Sequence, residues 1–274
     1  MAEARVSFCV KGHLRLSSAR SDAGRTFLSA QSFRAPLHLS KPHADAGALV
    51  ANIVNPTAGL FENDETDIDV SVETGARLVL TTPSANRIYK ARGDGWATSR
   101  QCYRIATGGS LEFFPELTIP QAGSRFRQQT EIRVAPGGAL LFFEWLAPGR
   151  VASGECFRYD RLEWRTDLWL GERLNLRERY ELRPGSDSLA SLQRLFPASH
   201  YVSCVVVGDI EFPCGEITAI EPAGVYLGHT PLGYGGWVIK ALCRDGLCAR
   251  HVMRQLRLIL YRAFDREAPT LGRY

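Results

Sequence analysis

The sequence feature that most constrains the fold is a short pattern that recurs around a glycine turn. Residues 71–80, 105–113 and 134–142 read SVETGARLVL, IATGGSLEF and VAPGGALLF. Their first glycines, Gly75, Gly108 and Gly137, are spaced by 33 and 29 residues, and a weaker fourth copy, GERL, begins 34 residues later at Gly171. A period near 30 residues is typical of stacked supersecondary units. The pattern therefore predicts a repeat architecture.

Each copy is predicted to be a strand, a glycine turn and a second strand. Apolar residues alternate before the first turn, at Ile68, Val70 and Val72, which predicts a strand with one buried face. Glycine supplies the positive φ of the turn. The strands after the turns are apolar on both faces, as in residues 140–143 (LLFF), and must be covered on both sides. These features predict an all-β, solenoid-like (β-helical) fold with stacked strands in two packed layers.

The C-terminal part of the sequence has a different pattern. Short strands are predicted around residues 203–207 and 234–242. One helix is predicted over residues 247–264, because apolar residues recur at every fourth position from Val252 to Phe264. We expect this helix to cover an end or a face of the sheet.

Length, charge and cysteine content narrow the class of protein. A chain of 274 residues with a β-solenoid pattern fits one unit, so residues 1–274 are predicted to form a single domain. The net charge of +4 is too small to indicate nucleic-acid binding, and no apolar run is long enough for a membrane-spanning helix. Residues 1–12 lack an apolar export signal, and the seven cysteines include no Cys-x-x-Cys pair. These observations predict reduced thiols and a cytoplasmic protein that binds neither nucleic acid nor membrane.

The sequence contains no recognisable catalytic or cofactor-binding motif. Gly-x-Ser-x-Gly, His-Glu-x-x-His and Walker motifs are absent, so no catalytic residue is predicted. The densest group of possible ligands is the acidic segment 62–69 (ENDETDID), in which Asp67 and Asp69 belong to a solvated strand face. Glu144 lies inside an apolar run, where a carboxylate needs a partner or a cation. Its burial is explained either by a salt bridge to an arginine such as Arg150 or by a metal, and Glu178 has the same two interpretations.

Several segments resemble, in order, the motifs of a known family. The segments are residues 80–90 (LTTPSANRIYK), 111–116 (LEFFPE), 144–146 (EWL) and 149–155 (GRVASGE). They resemble the urease accessory protein UreD family, called UreH in some organisms, and the likeness extends from about residue 24 to residue 264. The resemblance implies a β-helical fold and a non-enzymatic scaffold that binds UreF, UreG and urease apoprotein. It also implies delivery of nickel to urease through a polar tunnel, without a tightly bound cofactor.

The resemblance also implies which residues line the nickel path. Matching the motifs position by position assigns Asp64, Glu65, Glu144 and Glu178 as carboxylates that contact nickel(II) in transit, and Ser84 as a tunnel-lining residue. Where the family usually has two glycines before the acidic pair, this chain has Glu62 and Asn63. Sparse carboxylates suit transit, because imidazole and thiolate would hold nickel tightly and conduction needs weak sites.

Two other functions remain open at the level of the sequence. One is a secreted-type β-solenoid lyase or glycosidase that acts on an acidic polysaccharide through Glu144 and Arg150. The other is an interaction module without metal transit, which would use its apolar strands or the arginine-bearing C-terminal helix to bind partners.

Overall fold

The computed structural model describes residues 9–57, 59–185, 199–220 and 224–271, together with Leu189, Ser191 and Arg194, so both ends of the predicted single domain lie outside the described residues. Helix α1 spans Cys214–Thr218 and helix α2 spans Gly246–Ala263. The strands are β1 (Lys11–Arg20), β2 (Thr26–Arg34), β3 (His38–Leu39), β4 (His43–Asp45), β5 (Ala48–Val54), β6 (Gly59–Leu60), β7 (Glu65–Val72), β8 (Arg77–Thr81), β9 (Asn86–Ile88), β10 (Ala97–Ile105), β11 (Ser110–Phe114), β12 (Thr118–Pro120), β13 (Arg125–Val134), β14 (Ala139–Leu146), β15 (Arg161–Leu170), β16 (Arg173–Leu182), β17 (His200–Val207), β18 (Val225–Pro231) and β19 (Trp237–Cys243).

The strands wind into a solenoid whose coils stack in parallel. The first sheet has the order β16-β15-β13-β10-β7-β1-β2, and the second sheet contains β18-β19-β17-β14-β11-β8-β5-β3. Strands β7, β10, β13 and β15 are parallel neighbours, as are β5, β8, β11 and β14 in the second sheet. The short strands β6, β9 and β12 form a further parallel row. The predicted solenoid-like arrangement of mainly β structure is confirmed.

The turns between the two layers require glycine for two reasons. The first glycines of the three clear copies have φ values of +69°, +68° and +75°, in the left-handed region that favours glycine. In the second and third copies the next residue is also a glycine, and a side chain there would have little space. A Cβ on Gly109 would lie 3.0 Å from the Glu73 carbonyl oxygen, and one on Gly138 would lie 3.2 Å from that of Ala106. The Gly-Gly pair therefore allows successive coils to pack closely.

A tighter contact occurs where β6 meets β9. A Cβ added to Gly59 would lie 2.0 Å from the carbonyl oxygen of Arg87, which is backbone and cannot rotate away. We expect Gly59→Ala to lower the free energy of unfolding by about 1–3 kcal/mol, the usual cost of overpacking. Gly228→Ala in β18 is the control, because its Cβ would meet no atom within 4 Å. Urea denaturation measures both variants, and equal stability of the two would contradict the predicted clash.

The fourth copy of the repeat does not cross to the second layer. Gly171 joins β15 to β16 in an antiparallel hairpin within the first sheet, and β17 instead pairs with β14 in the second. Burial alternates along β16, whereas β17 (HYVSCVVV) is buried almost throughout. A strand with one polar face fits the first sheet, which is solvated on one side, and a strand that is apolar on both faces fits the covered second sheet. The fourth copy is therefore a strand, a turn and a strand, as predicted, but its second strand stays in the first sheet.

Helix α2 covers the outer face of the second sheet. Val252, Leu256 and Leu260 are fully buried in a cluster with Phe143 and Cys204. The helix begins one residue earlier than predicted and ends at Ala263. The two short strands predicted upstream correspond to β17 and β19. None of the helices among the described residues has the length and apolar character that spanning a membrane would require.

Candidate functional site

A band of buried polar side chains crosses the interior of the solenoid. The inward-facing positions of the first sheet are apolar near the strand ends and polar in the middle, as in β13, where Phe126 and Ile132 flank Gln128 and Thr130. Because the strands are parallel and in register, these positions form rows from coil to coil. The buried polar members of these rows are Thr66, Ser99, Gln101, Gln128, Thr130 and Thr166. The band thus separates two apolar clusters of the interior.

A cavity of about 100 Å³ opens into this band. Its lining includes Thr66, Ser99, Gln101 and Gln128 from the first sheet and Glu144 from the second. Its other side is formed by the segment after β8, where Ser84 is exposed and lines the same cavity. Two of the site residues predicted from the sequence, Ser84 at the surface and Glu144 in the interior, therefore line one continuous space.

Glu144 is a buried carboxylate with one oxygen held by donors. Its side chain projects from β14, and the residue is only 6% exposed. Trp164 Nε1 and Thr166 Oγ1 donate to Oε1 over 2.9 and 3.0 Å, and Gln128 Nε2 approaches the same atom at 3.4 Å. Among the described residues, no hydrogen-bond donor contacts Oε2. One oxygen is thus fixed in position, whereas the other is available to a ligand.

The surroundings of Glu144 raise the pKa of its carboxyl group well above the usual value for glutamate. Burial raises the pKa of Glu144 to about 7, because an interior site solvates a negative charge poorly. The hydrogen bonds from Trp164 and Thr166 and the positive charge of Lys240 partly offset this rise. The negative charge of Glu178 adds to it. Glu144 therefore changes its charge near neutral pH, and Glu178 and Lys240 both act on it.

The polar band continues past Glu144 to strands β16 and β19. Glu144 pairs across strands with Ser203, which pairs with Lys240, so that these three side chains project from one face of the second sheet. On the facing sheet Thr166 pairs with Glu178. Lys240 Nζ lies 2.7 Å from Glu178 Oε1, and the Tyr201 hydroxyl donates to the same carboxylate. Glu178, whose side chain is 10% exposed, thus ends the band in an ion pair.

Asp64 and Glu65 lie outside the cavity lining. Asp64 is buried, and its two oxygens accept the backbone N–H groups of Val10 and Phe61 over 3.0 and 2.8 Å. Asn63 adopts a left-handed conformation with φ of +68°, which asparagine tolerates better than most residues. The chain therefore makes this turn with Asn63 in place of a glycine, and the two hydrogen bonds accepted by Asp64 hold the turn in shape.

Glu65 begins β7 on the outer face of the first sheet. It is exposed and forms a salt bridge of 3.1 Å with Lys11. Asp67 and Asp69 follow on the same outer face while Ile68 is buried, which confirms the predicted solvated strand face. The four carboxylates that the family resemblance assigned to one path thus lie in different places. Two of them, Glu144 and Glu178, lie in the same polar band.

The salt bridge between Glu144 and Arg150 that the sequence left open is not formed. Arg150 pairs with Glu155, five residues later, through its Nε and Nη2 atoms. Glu144 instead takes its partners from β13 and β15 of the facing sheet. Arg150, which the lyase or glycosidase interpretation placed with Glu144, is therefore held by Glu155 instead.

The band provides separate oxygen ligands rather than a chelating site. Within the described part of the chain, no three His, Cys, Asp or Glu residues are grouped so that they could hold a metal ion. The sequence analysis missed Gln128, Thr166, Ser203 and Lys240. The signal for the first two was present, because each occupies an inward position of a strand with regular alternation.

Comparisons with known proteins identify the family to which this chain belongs. The sequence model of the family described as "UreD urease accessory protein" matches residues 10–273. The chain is 36% identical over 262 residues to the urease accessory protein UreD of Opitutus terrae, an alignment that covers 93% of this chain and 96% of that protein. It is 32% identical to the protein of the same name from Deinococcus radiodurans, with 85% and 84% covered, and 30% identical to that from Acetivibrio thermocellus, with 89% and 95% covered. The chain therefore belongs to the UreD family of urease accessory proteins.

Proposed function

We propose that the chain is a non-enzymatic scaffold that delivers nickel(II) to urease through its polar interior. The observation that carries the proposal is the cavity lined by both Ser84 and Glu144, which continues as a polar band to Glu178. A hydrated cation needs oxygen ligands in place of the water that it leaves behind. Hydroxyl, amide and carboxylate groups at successive positions supply them.

The ligand chemistry of the band suits an ion in transit. Nickel binds imidazole and thiolate more tightly than carboxylate, and carboxylate sites release it faster. Glu144 offers the oxygen Oε2 to the cavity, while Trp164 and Thr166 hold its other oxygen in place. In this proposal the ion enters beside Ser84, contacts Glu144 and leaves toward Glu178.

Asp64 and Glu65 have different parts in the proposal. Because both oxygens of Asp64 accept backbone N–H groups, Asp64 would contribute charge and loop shape rather than a ligand atom. Glu65 is exposed and would act on cations at the surface. Neither residue lines the cavity described above.

The proposed partners are UreF, UreG and urease apoprotein, to which nickel would pass, and no resident cofactor is proposed. Relatives that cover most of the chain are named urease accessory proteins, which supports a role within the assembly of urease. The odd number of cysteines favours a reducing compartment, so we place the function in the cytoplasm.

Co-expression with urease and the other accessory proteins tests the proposed transit. We expect Glu144→Gln to reduce urease nickel content and activity by at least about tenfold, because the variant loses a ligand charge in the path. Glu131→Gln is the matched control, since Glu131 lies on the outer face of β13 and pairs with Arg133. Complex formation is measured in parallel by co-purification.

The two readouts separate metal transit from a pure interaction role. Loss of nickel in an intact complex supports transit. Full nickel loading by an intact Glu144→Gln complex contradicts transit and leaves the interaction module as the function.

A further inference from the structure

Lys240 stands at the end of the polar band, beside one of its two buried acids. Its ammonium donates to Glu178 Oε1 over 2.7 Å, and the Tyr201 hydroxyl donates to the same oxygen. Lys240 also shares a cross-strand row with Ser203 and Glu144, so its side chain is on the cavity side of the second sheet. The Lys240 ammonium thus lies at the point where the proposed nickel path reaches Glu178.

The positive charge of Lys240 weakens the attraction of Glu144 and Glu178 for a divalent cation. Glu178 and Lys240 shift the pKa of Glu144 in opposite directions, so both are close enough for their charges to act at Glu144. Without the lysine, Glu144 and Glu178 would present two negative charges beside the hydroxyls of Thr166 and Ser203. In a poorly solvated interior, such a set of oxygens attracts a divalent cation strongly. A site of that strength would stop transit, which depends on weak sites.

The lysine is also placed so that it can move. Its side chain is 43% exposed, whereas that of Glu178 is only 10% exposed. A lysine side chain is flexible and strongly hydrated, and its ammonium has three rotatable donors. Movement of the ammonium toward solvent would leave Glu178 without its cation for the time that an ion needs to pass.

We propose that Lys240 is the resident counter-cation of the passage: it occupies Glu178, prevents nickel from being retained between Glu144 and Glu178, and is displaced toward solvent by an ion in transit. This inference rests on the proposed function, because it assigns a release step to the same path. Lys240 is a positioning residue in this scheme and does not ligate the metal.

Nickel retention by the purified full-length chain, co-expressed with UreF if required for yield, tests the inference directly. The protein is equilibrated with nickel chloride and desalted, and bound metal is measured by atomic emission. We expect Lys240→Met to bind nickel at least about tenfold more tightly than the wild type, because removal of a positive charge strengthens the attraction of the two acids for a divalent ion. Lys240→Arg keeps the charge and is expected to resemble the wild type.

A double variant tests whether Glu178 is the acid that retains nickel in Lys240→Met. Lys240→Met/Glu178→Gln is expected to lose the gain in retention, since the second carboxylate is absent. If the methionine variant does not fold, Lys240→Gln replaces it, because an amide can still donate to Glu178 while carrying no charge. Circular dichroism confirms folding in each case.

The outcomes distinguish this inference from the proposed function. A folded, neutral variant at position 240 that retains no more nickel than the wild type overturns the counter-cation role, whatever Glu144→Gln does to urease. Tighter retention by Lys240→Met combined with normal nickel loading by Glu144→Gln shows that Lys240 keeps nickel from binding at the two acids, but it rejects the proposed transit and with it the displacement of Lys240 by a passing ion. Tighter retention together with poor urease activation by Lys240→Met supports both.

Discussion

Replacing Glu144 by glutamine is expected to stabilise the protein at pH 8 and to leave its stability almost unchanged at pH 4. Glutamine has nearly the same shape, and its carbonyl oxygen can accept the hydrogen bonds that Trp164 and Thr166 donate to Glu144. The two side chains differ mainly in charge, which is costly in a buried site. The variant therefore measures the cost of ionising Glu144 in the interior.

The direction of the effect follows from the pKa of Glu144 in the two states. The ordinary value is 4.5, and burial raises the folded-state pKa to about 7. Below pH 4.5 the carboxyl is protonated in both states, so its contribution to stability is fully present. As the pH rises from 4.5 through 7, the wild type loses about 3 kcal/mol relative to the glutamine variant, at about 1.4 kcal/mol per pKa unit. Above pH 7 the difference stays constant.

Urea denaturation at pH 4, 6 and 8 measures this difference. Glu131→Gln is again the control, because Glu131 is partly exposed on the outer face of β13 and its charge is not buried in the band. A stability difference between wild type and Glu144→Gln that is the same at all three pH values would show that Glu144 does not carry a buried charge. The result is independent of nickel and of the partner proteins.

The solenoid was predictable from the sequence, but the strand at which the parallel coils end was not. The glycine turns and the alternation of apolar residues recur with enough regularity to indicate stacked coils. The fourth copy begins with the same turn, yet the strand after Gly171 pairs with β15 instead of crossing to the second layer. The difference lies in whether a strand is apolar on one face or on both. This property distinguishes β16 from β17, and it decides which of the two strands pairs with β14. A comparison of the two strands is therefore needed, and the turn at Gly171 alone does not show the outcome.

The position of Glu144 was predictable because it interrupts an apolar run, but its partners were not. Gln128, Trp164 and Thr166 come from the facing sheet and meet Glu144 only after the coils have closed. A local reading of the sequence favours Arg150, which is six residues away and pairs with Glu155 instead. Contacts between layers depend on how two strands face each other, and no short-range pattern encodes that arrangement.

The second large effect is expected at the buried ion pair that attaches helix α2 to the second sheet. Arg257 donates to both carboxylate oxygens of Glu112 on β11, and the Tyr261 hydroxyl donates to Glu112 Oε2. The side chains of Arg257 and Glu112 are only 9% and 3% exposed. The arginine also lies over the rings of Phe114 and Tyr261, at 5.7 and 4.8 Å from the centroids. Each charge would therefore be poorly solvated if its partner were removed.

We expect Arg257→Met to lower the free energy of unfolding by about 3–5 kcal/mol, because it leaves the Glu112 carboxylate buried without its counter-charge. Arg262→Met on the same helix is the matched control. Arg262 and Glu216 form a salt bridge with side chains 62% and 55% exposed, and such surface pairs contribute about 1 kcal/mol or less. Chemical denaturation of both variants gives the comparison.

A double variant separates the cost of a stranded charge from the value of the pair itself. In Glu112→Leu/Arg257→Met no charge is left buried, so the double variant is expected to be more stable than Arg257→Met alone, although the Tyr261 hydroxyl loses its acceptor. A double variant that is less stable than either single variant would mean that the pair is strongly stabilising in itself. Because α2 covers Phe143 and Cys204 on the outer face of the sheet, loss of this attachment would also expose the apolar surface of the second layer, and we expect aggregation of Arg257→Met on heating.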